Sequence, residues 1–207
     1  METGEPVRRT GPSPLLVVLS GPSGVGKDVA LQRMMELGCP LTPVVTATTR
    51  PQRPGELHGR EYLFLSPQEF DRLLAANEFL EHAAVYGNRY GVPKQPVREA
   101  LGRGQDVLIK ADVQGAAAIR ALVPQALLVF LAPPNLDELA VRLRQRKTES
   151  AEELERRLRT AAREMERQHL FDYVVVNHNG RLDEAVDRIQ AIVEAEKQRG
   201  DRPPVRL

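Results

Sequence analysis

The sequence predicts an α/β fold, a parallel sheet covered by helices and built around a phosphate-binding loop. Three observations carry this. Short apolar runs rich in β-branched residues alternate with longer segments of helical period, the order that lays strands side by side in parallel. Capping residues mark helix starts between those runs. A glycine-rich loop ending in a lysine comes directly after the first strand candidate.

Taken in order, the clearest strand candidates are residues 15–20, 106–109, 127–131 and 173–176. Ser66-Pro67-Gln68-Glu69 and Ser150-Ala151-Glu152-Glu153 each place a hydroxyl cap three residues before a Glu. Pro67 falls in a first turn, where its missing N–H does no harm. Asn135-Leu136-Asp137-Glu138 repeats the pattern with an amide cap. After Ser150, Leu154, Leu158, Ala161, Ala162 and Met165 share one side while arginines take the other, which predicts an amphipathic surface helix.

The chain has 207 residues, 42% hydrophobic and 28% charged, enough for one soluble globular unit with a real core. Its 29 Lys plus Arg balance 28 Asp plus Glu. That balance leaves no basic field for a nucleic acid, so an anionic partner must be met by a local cluster. The lone Cys39 cannot form an internal disulfide and fits a reducing compartment. Residues 1–14 read as a flexible segment without the apolar run of a signal peptide, so the cytoplasm is expected. No stretch approaches the roughly 20 apolar residues of a membrane span. Residues 15–199 form the expected domain, and 200–207, with Pro203 and Pro204, a frayed C-terminal tail. The oligomeric state is left open.

The strongest chemical signal is Gly21-Pro22-Ser23-Gly24-Val25-Gly26-Lys27, the G-x-x-x-x-G-K core of a P-loop. Its glycines let backbone N–H groups converge on phosphate oxygens, and the next helix adds its partial positive N-terminus. Lys27 reaches the outer phosphates. Such a loop implies a nucleoside triphosphate and does not name the acceptor.

The acceptor is suggested by the segment downstream of the loop. Thr46-Ala47-Thr48-Thr49-Arg50-Pro51-Gln52-Arg53-Pro54-Gly55-Glu56 leads to Gly59-Arg60-Glu61-Tyr62, then Asn77-Glu78-Phe79-Leu80-Glu81 and Tyr90-Gly91. This succession resembles guanylate kinases, and the match continues through Asp112-Val113-Gln114-Gly115 to Asp172-Tyr173-Val174-Val175-Val176-Asn177, covering roughly 15–192. The resemblance implies a P-loop kinase with a parallel sheet core, a GMP-binding lobe at about 46–91 and a mobile lid at about 142–157. It implies transfer of the γ-phosphoryl group of ATP to GMP, and to dGMP, with Mg2+ as cofactor.

The residue chemistry agrees. A phosphate dianion needs guanidiniums and hydroxyls that bind its oxygens from set directions, and Arg50, Arg53, Tyr62 and Tyr90 supply them. By the resemblance, Glu56 belongs with the GMP-binding set, Thr46 contacts guanine O6, and Glu81 accepts from the guanine N1 hydrogen and exocyclic amine. Adenine offers no such donor pair, so Glu81 would carry the base choice.

Arg142, Arg146 and Arg157 match arginines that the family brings over the ATP phosphates. Charge stabilisation of this kind is the main device of phosphoryl transfer. Asn177 joins the ATP set. Asp112 matches an acid near both substrates and the magnesium, directly or through water. Three positions depart from the commonest family pattern. Asp28 stands in place of a Ser or Thr that meets magnesium and is itself a candidate metal ligand. Val92 stands in place of a hydroxyl that touches guanine, and Lys110 in place of an acid. Gly26-Lys27-Asp28 together with Gly91-Val92-Pro93-Lys94 resembles the plant organellar and related bacterial members. Two other readings are a non-catalytic binding module and a kinase for another small phosphorylated acceptor. The retained Lys27 argues against the first, and Glu81 with Arg50 and Arg53 against the second.

Overall fold

The structure is a computed structural model that describes residues 13–85, 87–145, 151–199 and 202–207. The elements in chain order are β1 (Leu16–Ser20), α1 (Lys27–Glu36), β2 (Leu41–Pro43), β3 (Ala47–Thr48), β4 (Leu63–Phe64), α2 (Pro67–Ala75), β5 (Phe79–Val85) and β6 (Asn88–Pro93). They continue with α3 (Lys94–Gly102), β7 (Asp106–Lys110), α4 (Val113–Leu122), β8 (Leu127–Ala132), α5 (Leu136–Gln145), α6 (Ala151–Glu166), a 3-10 turn (Arg167–Leu170), β9 (Tyr173–Val176) and α7 (Leu182–Gln198).

The main sheet runs β2-β7-β1-β8-β9, every pair parallel. All four expected strands are present, with ends shifted by no more than a residue. In the central strand β1, Val17 and Leu19 enter one core with α1 and α7, while Leu16 and Val18 enter another with α3 and α4. Helices cover both faces, which is why the strand reads as an unbroken apolar run and not an alternating one.

A second, mixed sheet of order β4-β3-β6-β5 is built from the segment expected to hold the acceptor. None of its strands was expected from the sequence; β3 and β4, at two residues each, are too short for a periodic signal. The lobe has its own small core of Ala47, Phe70 and Phe79, with the two phenylalanine rings stacked at 4.5 Å. Ser66 caps α2 in a reciprocal box: its Oγ accepts from Glu69 N–H at 3.2 Å and its N–H donates to Glu69 Oε2 at 2.8 Å. Asn135 Oδ1 accepts from Glu138 N–H at 2.8 Å at the start of α5. Arg146 and the Ser150 cap lie outside the described residues, as do most of the N-terminal segment and Gly200.

The reading of the tail as frayed is corrected. Arg202 donates to Glu196 and, at 2.8 Å, to the Gln125 carbonyl, and Val205 packs on the second core. Glu196 is buried and also receives the Tyr173 hydroxyl at 2.7 Å. A buried carboxylate requires such partners, and the tail supplies one of them. Among the described residues, no helix is long and apolar enough to cross a membrane.

Candidate functional site

The P-loop joins β1 to α1 at the C-terminal edge of the parallel sheet, where ligands of such folds gather. Gly21 adopts φ 140°, and a Cβ there would lie 2.1 Å from the Leu131 carbonyl oxygen, so only glycine lets the loop pass β8 this closely. Lys27 Nζ donates to the Gly21 and Pro22 carbonyls at 2.6 and 3.1 Å, inside the loop it belongs to. Burial lowers its pKa to about 8; Glu164, Asp28 and Asp112 oppose that shift, and Lys110 adds to it. Asn177 is buried and braces the same loop, donating to the Val25 carbonyl at 2.9 Å.

Arg142, expected over the phosphates, places its donors on protein: Nε on Asn179 Oδ1 at 2.7 Å, Nη1 on the Val25 carbonyl at 3.1 Å and Nη2 on the Asn177 carbonyl at 2.7 Å. It therefore holds the P-loop from behind. Arg157 reaches the loop directly, with Nη2 donating to Ser23 Oγ at 2.8 Å.

Two turns further along α6, Glu164 is the acid that most strongly favours the charged form of Lys27. Burial nonetheless raises its pKa, and its Oε2 is buried without a partner. The sequence reading missed Glu164. Its spacing of seven from Arg157 puts the two on one helix face, and that was a usable signal. Two carboxylates mark the donor side further: Asp28 in the first turn of α1, and Asp112, the N-cap of α4, whose Oδ1 accepts from Gly115 N–H at 2.7 Å. Lys110 Nζ, at the end of β7, donates to Asp28 Oδ1.

On the acceptor side, Arg50 is held on three sides. Nη2 donates to both Glu56 oxygens at 2.8 and 3.0 Å, Nη1 to the Pro51 carbonyl at 2.7 Å, and the guanidinium lies 5.4 Å from the Tyr62 ring centre. Glu56 also accepts the Arg53 backbone N–H at 2.8 Å, so it orients the Arg50 side chain and ties down the Arg53 backbone. Tyr62 meets Tyr90 edge-on at 5.9 Å. Thr48, which the sequence reading also passed over, accepts the Arg50 N–H at 3.1 Å and sets the turn. Thr46 and Tyr62 line a cavity of about 840 Å³ together with Asp28 and Lys110.

Glu81, on β5, faces the start of α4. A Cβ on Gly115 would lie 3.1 Å from Glu81 Oε2, so the helix backbone and the carboxylate are nearly in contact. Burial, and then the charge of Asp112, raise the Glu81 pKa to about 7. Val92 pairs in register with Glu81 and is buried in the second core, so it is a packing residue behind the carboxylate. The geometry thus brings together the P-loop, Asp28, Asp112, Arg157, Asn177 and Glu81 around the C-terminal edge of the sheet, with Arg50, Tyr62 and Tyr90 on the facing lobe.

The guanylate kinase family model matches residues 13–196. The chain is 42% identical over 197 residues to guanylate kinase 2, chloroplastic/mitochondrial, of Oryza sativa subsp. japonica, covering 95% of this chain and 69% of that protein. It is 47% identical over 180 residues to a guanylate kinase of Thermobifida fusca, with 87% and 91% covered. Among solved structures, the guanylate kinase from Anaplasma phagocytophilum superposes with a TM-score of 0.75 at 32% identity, covering 93% of this chain and 90% of that one.

Proposed function

The chain belongs to the guanylate kinase family of ATP-dependent nucleoside monophosphate kinases, and on that premise we propose that it moves the γ-phosphoryl group of ATP to GMP, and to dGMP, with Mg2+. The observation that carries the acceptor choice is Glu81. A desolvated carboxylate with a pKa near 7 gains most from a ligand that offers two N–H donors, and guanine does so through N1 and its exocyclic amine. Adenine would leave it facing an acceptor.

The proposed division of labour rests on charge. P-loop N–H groups and Lys27 hold the ATP phosphates; Asn177 and Arg142 keep that loop in shape. Arg50 and Arg53, with the hydroxyls of Tyr62 and Tyr90, hold the phosphate of GMP, and Thr46 the guanine edge. Glu56 keeps Arg50 aimed and anchors the backbone at Arg53. Arg157 moves from Ser23 to the transferring group, joined by Arg146 from the lid. A GMP phosphate oxygen bonds to the γ-phosphorus as the bond to the β-phosphate oxygen breaks, and ADP leaves with the electron pair. The protein's part is positioning and charge stabilisation.

The donor set fits magnesium. Asp28, in the first turn of α1, and Asp112, at the N-cap of α4, would supply hard carboxylate oxygens, suited to an ion that keeps several waters and shares phosphate oxygens. When bound, the ion would neutralise charge building on the β–γ bridge. The cytoplasm suits the reading, since Cys39 is a free, buried thiol.

A coupled assay offering GMP, dGMP, AMP, UMP and ribose phosphates with ATP tests this. GMP should be used best and dGMP next. Preference for AMP or a ribose phosphate would overturn the assignment.

A further inference from the structure

Lys110 ends β7, paired in register beside Leu19 of the strand that feeds the P-loop. Its ammonium rests on Asp28, with side-chain exposures of 28% for Lys110 and 72% for Asp28. So open a pair adds little to stability. Its effect is to hold a long, flexible cation at one place. Asp28 and Lys110 line one cavity with Thr46 and Tyr62, two of the residues proposed above for GMP. Asp28, on which Lys110 rests, directly follows the P-loop lysine Lys27 in the chain, and the Lys110 charge is felt by Lys27.

We propose that Lys110 is a second phosphate-binding lysine, a catalytic residue that contacts the γ-phosphoryl group as it passes from ATP to the acceptor. An ammonium has three donors on a flexible stem, so Lys110 can keep one on Asp28 and turn another to a phosphoryl oxygen. No proton is transferred: the acceptor oxygen bonds to phosphorus, ADP takes the electron pair, and Lys110 only donates hydrogen bonds to the group in flight. Lys27 serves the donor phosphates from within the loop, and Lys110 serves the moving group from the strand side.

The proposal rests on the kinase reading above, and the test keeps the two apart. Lys110→Met, Lys110→Gln and Lys110→Arg are compared with the parent chain. Steady-state rates are measured with GMP and magnesium. Binding of ADP and of the non-hydrolysable imido analogue of ATP is measured by calorimetry with metal chelated. A contact to the γ-phosphoryl group predicts that Lys110→Met loses about a hundredfold in kcat. It should bind the imido analogue about tenfold more weakly and ADP within about twofold of the parent, a difference of about 1.4 kcal/mol confined to the γ position. Lys110→Arg should recover most of both. Lys110→Gln stands in for the methionine variant if that fails to fold. A kcat within about threefold of the parent, or equal weakening for the analogue and ADP, would overturn the proposal. A parent chain that does not phosphorylate GMP would overturn the kinase reading instead.

Discussion

Arg157 is tied to Ser23 from α6: its Nη2 donates to Ser23 Oγ at 2.8 Å, and Glu164, two turns along the same helix, stands where the Lys27 ammonium and the Ser23 backbone counter the rise that burial imposes on its pKa. Helix α6 is thereby fastened to the third residue of the P-loop.

If Arg157 leaves Ser23 for the transferring group, Arg157→Ala should lower kcat by about one to two orders of magnitude while ADP affinity changes little. Single-turnover rates with saturating ATP and GMP check this. A loss confined to the KM for ATP would place Arg157 in ground-state binding instead.

Glu164→Ala should raise the KM for ATP several-fold and leave that for GMP unchanged, because it removes the carboxylate that most strongly favours the charged form of Lys27. Substrate-saturation curves for both nucleotides separate the outcomes. Equal changes in both would indicate general loosening of the fold.

Lys27→Ala should cost about a hundredfold or more in kcat without unfolding the protein, since the residue contributes charge and no core packing. Near-normal turnover in a folded variant would remove the P-loop assignment.

Glu81 gives a pH prediction with a definite sign. Its native pKa, about 7, lies above its ordinary value of 4.5, so between those values the native state binds the more protons. Its contribution to stability therefore falls as pH rises through that window. Guanine needs the ionised form, so kcat/KM for GMP should drop on acidification below about pH 7. Glu81→Gln should lose that limb along with roughly a hundredfold or more in GMP use, because its amide presents a donor to a donor. Gly115→Ala, whose methyl would sit 3.1 Å from Glu81 Oε2, should weaken GMP several-fold with little effect on ATP. Matched losses for the two nucleotides in either variant would sink the assignment of Glu81 to the base.

Phe70→Ala should destabilise the protein by about 3–5 kcal/mol, since the ring is 1% exposed and stacked on Phe79 in the lobe's small core. Urea unfolding measures this. A cost below about 1 kcal/mol would mean that the lobe core can collapse around the gap.

The sequence alone determined the parallel sheet, the P-loop and the caps of α2 and α5. Each is written within a few neighbouring residues, as a run of buried β-formers, a glycine spacing or a side chain that reaches its own backbone. It also singled out Arg50, Arg53 and Glu81 as candidates, through an ordered set of motifs. Only the tertiary structure decided how these groups face one another. Lys110 and Asp28 are 82 positions apart, yet they touch because parallel pairing brings the end of β7 beside the start of α1. Glu164 looks like one more charge on an amphipathic helix until α6 packs against the loop. Glu56 is an exposed-looking acid until Arg50 folds onto it, and Val92 reads as a lost hydroxyl until the sheet buries it. The tail's proline-rich sequence suggested fraying, whereas Glu196, buried by the fold, draws Arg202 in. Local chemistry sets which groups are available, but a buried charge takes its partners from whatever the chain folds beside it, and no short window of sequence contains both.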